Sequence, residues 1–423
     1  MKKILVSVAA ATMALSTTAS ALEDIKVSGQ AKLWYETQNA DKMGAAVSSD
    51  RSLFNKKDAS GEVAFKLGMT GKQGDVGFGA TIYHGTTMGL ENDVVSGVRT
   101  DANELSGSAG DDTYFGELYI TAPVAPDTVL KFGKQELDTP LAFTERWNAM
   151  PNTFNAAVAI NSSVENLTLI AAYVGQGNTA AESSWKANDD FESYYGTAYA
   201  LAGLYKQDNF NANLWLYQIN HVLGAVNGTG LRFTGGVKVN AAWFDAGMKL
   251  GDSNVKAILA HVGHDGTGGD DTFAAALSAD VKISDITLFG AASYVNEGDI
   301  AVANTATGFK KTMLPTQGIY TDGLYVAQPG STAVKVSAAT KLGDTALSLN
   351  AVHNMNSGED GEVMGVSGFQ AQTLETTEIY ATVKQKVGAF DLMGIVMHRM
   401  MDDDATDDAV GGQYVRIVAS VNF

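Results

Sequence analysis

Apolar and polar residues alternate with period two along much of this chain. From Glu62 to Thr70, Val63, Phe65, Leu67 and Met69 fall opposite Glu62, Lys66 and Thr70. From Thr272 to Lys282, Phe273, Ala275, Leu277, Ala279 and Val281 fall opposite Ser278, Asp280 and Lys282. Glu378 to Lys386 repeats the pattern with Ile379, Ala381 and Val383 against Glu378, Lys384 and Lys386. A strand sends successive side chains to opposite faces, so each segment predicts one greasy and one wet face. The chain ends on such a strand: Val415, Ile417, Ala419 and Val421 on one face, Tyr414, Arg416, Ser420 and Asn422 on the other, with Val418 as an apolar intruder, and Phe423 last. Leu167 to Val174 and Phe390 to His398 are apolar on both faces, and strands there are inferred from their surroundings.

Connections between these runs come in two lengths that take turns. Glu165-Asn166, Gln207-Asp208-Asn209, Ser284-Asp285, Gly343-Asp344 and Gly388-Ala389 carry tight-turn chemistry. Between them lie long segments, among them Gln38 to Ser60, Thr86 to Asp111, Asp138 to Phe154, Asn296 to Ser331 and Arg399 to Gly411. Short turns on one side and long loops on the other predict an all-β, transmembrane antiparallel β-barrel. Counting gives 18 strands, from near Ile25 to Phe423. A count of 16 stays open, because two registers fit Val222 to Asn254. A soluble β-sandwich does not explain the alternation of connection lengths. A propeller would show a fixed repeat, and none is present.

The N-terminus changes the compartment. Met1-Lys2-Lys3, the apolar run Ile4 to Leu15 and Ala19-Ser20-Ala21 have the layout of a secretory signal peptide over residues 1–21, leaving a mature barrel over 22–423. The run is too short to span a bilayer as a helix. Cysteine is absent, so disulfides, thiolate catalysis and zinc-thiolate sites are excluded. The net charge is −18, or about −20 without Lys2 and Lys3, which argues against nucleic acid as a partner. A mean hydropathy of −0.03 looks soluble, as expected when lipid-facing and lumen-facing residues average out.

The segment Phe132 to Gln176 carries a family resemblance. Gly133-Lys134-Gln135 at a strand end, Asp138-Thr139-Pro140, Pro151-Asn152-Thr153-Phe154 and Leu167-Thr168-Leu169 resemble the region around the third loop in the major outer-membrane porins of the Campylobacter group and the related OprD-like porins. Val27-Ser28-Gly29 and the closing strand are similar too. The resemblance implies an 18-stranded homotrimeric porin of a Gram-negative outer membrane whose third extracellular loop folds inward. It also implies barrel-assembly machinery and lipopolysaccharide as partners, with Phe423 as the barrel-assembly terminus.

A barrel of this size encloses a channel wider than a small solute, so selectivity needs an inward loop carrying charge. The candidate constriction residues are Asp138, Glu145 and Arg146, faced by Lys134, with Trp147 as a neighbour for Arg146. A bland reading makes Asp138-Thr139-Pro140 an Asx turn and Glu145-Arg146 an exposed pair worth under about 1 kcal/mol. Arg416, Lys384, Lys386 and Lys282 are the candidate cations of the lumen wall. The acidic run with Asp402, Asp403, Asp404, Asp407 and Asp408 could recruit calcium, although it lacks the spacing of an EF-hand and reads more simply as solvated charge. The six histidines fall at the upper ends of outgoing strands, and His261 and His264 fall on opposite faces. No catalytic constellation emerges, and no cofactor beyond that calcium is implied. Two functions follow: a passive channel for small hydrophilic solutes with a preference for cations, or a surface adhesin acting through its long loops.

Overall fold

The structure, a computed structural model, describes residues 22–39, 52–55, 58–87, 112–146, 149–178, 191–222, 226–227, 230–231, 236–266, 269–357, 373–403 and 410–423. Eighteen strands form one sheet, each antiparallel to its sequence neighbours. In chain order they are β1 Glu23–Gln38, β2 Ala59–Gln73, β3 Val76–Thr87, β4 Asp112–Ala125, β5 Thr128–Gln135 and β6 Phe154–Val164. There follow β7 Leu167–Gly177, β8 Glu192–Lys206, β9 Phe210–Val222, β10 Val237–Leu250, β11 Ser253–His264 and β12 Thr272–Ile283. The last six are β13 Ile286–Val295, β14 Ser331–Leu342, β15 Thr345–Ser357, β16 Thr373–Val387, β17 Phe390–Asp403 and β18 Val410–Asn422. A two-rung ribbon, Val226–Asn227 with Gly230–Leu231, sits in the loop after β9.

The cylinder closes because β1 pairs with both β2 and β18, in register from Gln30 opposite Asn422 to Gln38 opposite Tyr414. Closure leaves no unpaired edge in the sheet, which is what lets backbone amides and carbonyls stay in hydrocarbon. Among the described residues no helix is long and apolar enough to cross a membrane. The open question over Val222 to Asn254 resolves to a single strand, β10, turning at Gly251 into β11.

Both faces follow the pattern in the sequence. On β12, Phe273 and Leu277 are exposed outward while Ala274, Ala276 and Ser278 are buried inward. Leu169, Leu201, Leu214, Leu216, Leu259, Leu349, Val396 and Ile417 continue the exposed apolar belt around the cylinder. Such a belt on a sealed barrel is stable only against lipid or detergent, since each fully exposed side chain of this kind costs about 1.5–3 kcal/mol in water. The seam is finished by Phe423. Its backbone exchanges two hydrogen bonds with Gly29, at 2.7 and 3.0 Å, and its ring meets Phe65 at 5.9 Å between centroids. Gly29 leaves the place for that ring, because a Cβ there would lie 2.2 Å from it.

The lumen is not an open tube. Residues 136–146 and 149–153, and the segment 296–330, turn inward and pack against the inner wall. Leu137, Leu141 and Ala142 of the first segment join Ile300, Val302, Ala303, Ala306 and Leu314 of the second in one apolar cluster with Val158, Trp215, Val239, Trp243 and Ile258 of the wall. At the root of the third loop, Gly133 holds φ +117°, and a Cβ there would fall 2.2 Å from the Leu118 carbonyl oxygen. Gly133→Ala is therefore expected to destabilise the barrel by about 1–3 kcal/mol. Cold and heated gel mobility in detergent reads this as a lower unfolding temperature, and an unchanged one would show that the backbone relaxes there without cost.

Candidate functional site

The third loop, residues 136–153, makes its own scaffold. Leu137 N–H donates to Thr144 Oγ1 at 3.0 Å and Thr144 N–H donates to the Leu137 carbonyl at 2.8 Å, with Asp138 bridging Phe143. The turn between them is closed by Thr139, whose hydroxyl donates to the Ala142 carbonyl at 2.7 Å and accepts from Ala142 N–H at 3.2 Å. A threonine turn thus takes the place of the Asx turn considered for Asp138-Thr139-Pro140. Asn152 steadies the returning limb by accepting from Glu145 N–H at 2.7 Å.

Charges collect where this loop faces β1 to β3. Glu136 accepts from Arg146 Nε at 2.8 Å, from Lys66 Nζ at 3.3 Å and from the Tyr83 hydroxyl at 3.2 Å. Arg146 Nη1 also donates to Asp138, at 3.2 and 3.4 Å to its two oxygens. Lys32, on β1, stands beside Lys66 and Glu136. Solvent reaches the group: the side chains of Arg146 and Asp138 are 49% and 69% exposed. Burial pushes the Glu136 carboxyl up, but Lys66 and Arg146 outweigh it and hold the group below the ordinary carboxylate range.

Asp138 and Arg146 thus come together as the sequence suggests, while the carboxylate at the centre of the cluster is Glu136, which sequence reasoning missed. Its signal was the Gln135-Glu136 step off the end of β5, read as the strand's end rather than the loop's first charge. Lys134 goes elsewhere: its register partners are Leu118 and Asn155, and its ammonium rests 3.5 Å above the Phe191 ring. Glu145 is corrected as a lining residue. It is 3% exposed and turned into the junction between the two inward loops. Trp147 lies outside the described residues.

That junction is built on Asn304. Its side-chain amide donates to the Phe143 carbonyl at 3.0 Å and to Glu145 at 3.1 Å, and its carbonyl oxygen accepts from Phe143 N–H at 3.0 Å. Thr307 donates to the same Glu145 oxygen. Thr305 reaches the Leu141 carbonyl with both its N–H, at 2.9 Å, and its hydroxyl, at 2.7 Å. Tyr194 and Tyr195 of β8 bond to Thr305 from the wall, at 2.5 and 3.0 Å. Burial raises the Glu145 carboxyl, only partly offset by Thr307, Lys311, Asn304 and Lys310.

The segment 296–330 then crosses to the opposite wall. Glu378 of β16 accepts from three successive N–H groups, Ile319, Tyr320 and Thr321, at 2.6 to 2.9 Å. The Tyr320 hydroxyl donates to Glu36 at 2.7 Å and accepts from Arg416 at 3.1 Å. A short helix, α1 Gly323–Val326, is capped by Asp322, which pairs with Lys311 at 2.8 Å. This strap was legible only as a long loop. The run Ile300-Ala301-Val302-Ala303, too apolar for an outer loop, was the available signal.

Among the proposed wall cations, Arg416 points inward and pairs with Glu36 at 2.6 Å, beneath the strap. Lys282, Lys384 and Lys386 lie on the inward parity of β12 and β16 but at the short-turn end, exposed and away from the Glu136 cluster. His261 and His264 do fall on opposite faces: the first lies against Phe273 with Asp271 at 2.9 Å, the second is buried against Asp299 at 2.9 Å. Among the described residues no group of three or more His, Asp or Glu could hold a metal ion. Asp402 and Asp403 end β17, while Asp404, Asp407 and Asp408 lie outside the described residues.

No family model matches the chain, and no curated protein does. Solved structures do match its fold. Acinetobacter baumannii OccAB1 superposes with a TM-score of 0.71 at 15% identity, covering 96% of this chain and 98% of that one. Pseudomonas aeruginosa OpdK with vanillate matches at 0.69 and 13%, covering 95% and 98%. Pseudomonas aeruginosa OccK2 (OpdF) in complex with glucuronate matches at 0.67 and 13%, with the same coverage. The closed 18-stranded architecture is thus the fold of OprD-like porins.

The buried Glu145 carboxylate makes the loop junction sensitive to pH with a definite sign. A carboxyl whose folded pKa stands above its ordinary 4.5 binds more protons folded than unfolded, so stability falls as pH rises through that window. Glu145→Gln, which keeps the shape and removes the charge, is expected to raise stability by about 1–2 kcal/mol at neutral pH and to lose that advantage in acid. Thermal unfolding in detergent at both conditions measures it. An equal gap at the two would contradict the assignment.

Proposed function

We propose that this chain is an outer-membrane channel of a Gram-negative bacterium through which ions and small hydrophilic solutes diffuse passively. One observation supports the reading: two loops fold into a closed barrel with an apolar outer belt, clasp each other, and leave a solvent-exposed charge cluster of both signs on the third loop. An adhesin needs long outward loops and has no use for a pair turned inward. The fold shared with OccAB1 and OccK2 supports the same conclusion, and so does the OprD-like pattern around the third loop. The finer likeness to the Campylobacter-type porins, removal of a signal peptide over residues 1–21, homotrimeric assembly, and contacts with lipopolysaccharide and the barrel-assembly machinery belong to this reading as well. They rest on the sequence.

Selectivity follows from the charges at the waist. Lys32, Lys66 and Arg146 stand against Glu136 and Asp138, so the described charges there nearly balance. The preference for cations expected from the net charge of −18 is therefore weak and set away from the waist. Arg146 is the lever, because it neutralises both carboxylates. In planar bilayers under a salt gradient, Arg146→Ala is expected to move the reversal potential toward stronger cation selectivity, and Asp138→Ala to move it the other way. Stable ohmic steps with unchanged reversal potentials in both variants would place the selectivity elsewhere. Absence of steps from the unaltered protein would refute the channel.

A further inference from the structure

Four of the six histidines recur at one position of the hairpins. The two-residue turns Gly74-Asp75, Gly251-Asp252, Ser284-Asp285, Gly343-Asp344 and Gly388-Ala389 open β3, β11, β13, β15 and β17. The first residue of each holds φ between +55° and +64°. Counted from that residue, the tenth position is His84, His261, Tyr294, His353 and His398. Parity settles which face they take. Ile82, Leu259, Leu349 and Val396, an even number of residues below the histidines, are exposed on the outer side, while Tyr83, Ala260, Val352 and Met397 are buried inward. A strand rises about 3.3 Å per residue and tilts by about 40° in such a barrel, so ten residues climb about 25 Å, the height of the apolar band. The turns thus lie at one edge of that band and the histidines at the other, level with the headgroups of the outer leaflet.

Two of the rings are held in the same way. His84 Nδ1 meets Thr113 Oγ1 of β4 at 2.6 Å, and His353 Nδ1 meets Thr377 Oγ1 of β16 at 2.9 Å. A hydroxyl that donates to Nδ1 leaves the ring proton on Nε2, and neither Nε2 has a protein partner among the described residues. His398 stands between Ile379 and Gln413 in register and makes no hydrogen bond among the described residues. His261 differs, since Asp271 takes its Nε2 at 2.9 Å. Other charges near the belt stand further out. Glu375 and Asp402, register partners, lie beyond His353 and His398, Asp112 lies beyond Thr113, and Asp265 and Lys238 lie beyond His261. A chain of net charge −18 thus sets N–H and O–H donors at this level and, Asp271 apart, its acids elsewhere. A donor at the edge of hydrocarbon gains most from an anionic acceptor, whose hydrogen bonds are about twice as strong as neutral ones. We infer that His84, His353 and His398 are contacts for outer-leaflet lipid carrying a phosphate monoester, each donating a ring N–H to a phosphate oxygen. The inference goes beyond the channel reading and needs only the barrel and its membrane.

The test places the full chain in phosphatidylcholine vesicles with a trace of spin-labelled lipid. The fraction of label immobilised against the barrel is compared for phosphatidic acid, a phosphate monoester, and for phosphatidylcholine, whose phosphate lies under its own ammonium. Phosphatidic acid is expected to be preferred about threefold, within the roughly fivefold that one cationic contact to an anionic surface is worth. The H84F/H353F/H398F protein keeps a ring at each position and loses the donors, so the preference should disappear while heat-dependent gel mobility still shows a folded barrel. The milder T113V/T377V protein frees the orientation of two rings and should lose part of it. An undiminished preference in both variants would overturn the assignment. So would an equal preference for phosphatidylserine, whose phosphate is a diester, because that response belongs to surface charge in general. Inorganic phosphate in the buffer should leave the preference in place. Its loss there would mean that the rings take free phosphate, and the assignment to lipid would fall.

Discussion

The apolar packing of two loops inside the barrel governs the rest of this structure. A closed cylinder of 18 strands needs no core, because lipid covers its outside and water can fill its lumen. Here the lumen is partly filled with a core, in which Leu141, Val302, Ala303, Ala306 and Leu314 pack on Trp215, Val239, Trp243 and Ile258. That burial offsets the entropy of fixing two long segments in a wet interior. Once the loops are seated, polar groups are buried with them and must be satisfied. Asn304 and Glu145 exist for that purpose at the junction, as Glu378 does where the strap reaches the far wall.

A division of labour among the carboxylates follows from burial alone. Glu145 and Glu378 are buried and tie loops together, their oxygens aimed at amides and hydroxyls. Glu136 and Asp138 remain in reach of water and hold Arg146 between them. An exposed ion pair contributes little to stability, about 0–1 kcal/mol, so the second group does little to hold the fold. The same residue type, a few positions apart in one loop, thus does two jobs.

The same packing explains what was legible in the sequence. The outward row of β12, Phe273 to Val281, announces itself because its inward neighbours are small or polar. The alternation fades at Leu167 to Val174, at Phe390 to His398 and around β10. In each place the inner wall carries apolar residues beneath a loop: Val174 on β7, Ile395 and Met397 on β17, Val237 to Trp243 on β10. Period two is lost where both faces are greasy, so the weak stretches of the pattern mark the footprints of the inward loops. The charge cluster on the third loop was half legible for a related reason. Arg146 and Asp138 announce charge, but only the fold decides which neighbouring glutamate faces water, and it chose Glu136 over Glu145. The strap was missed because a loop's length does not disclose its direction.

The clasp between the two loops can be tested by covalent trapping, which the absence of native cysteine makes clean. Leu141 and Thr305 meet through a backbone hydrogen bond of 2.9 Å, close enough for a disulfide between cysteines at those positions. The L141C/T305C protein, folded in detergent and mildly oxidised, should cross-link nearly completely while still giving stable ohmic steps in a bilayer. Free thiols on a correctly folded, conducting barrel would show that the loops do not meet inside it, and the account of the constriction would fail with them.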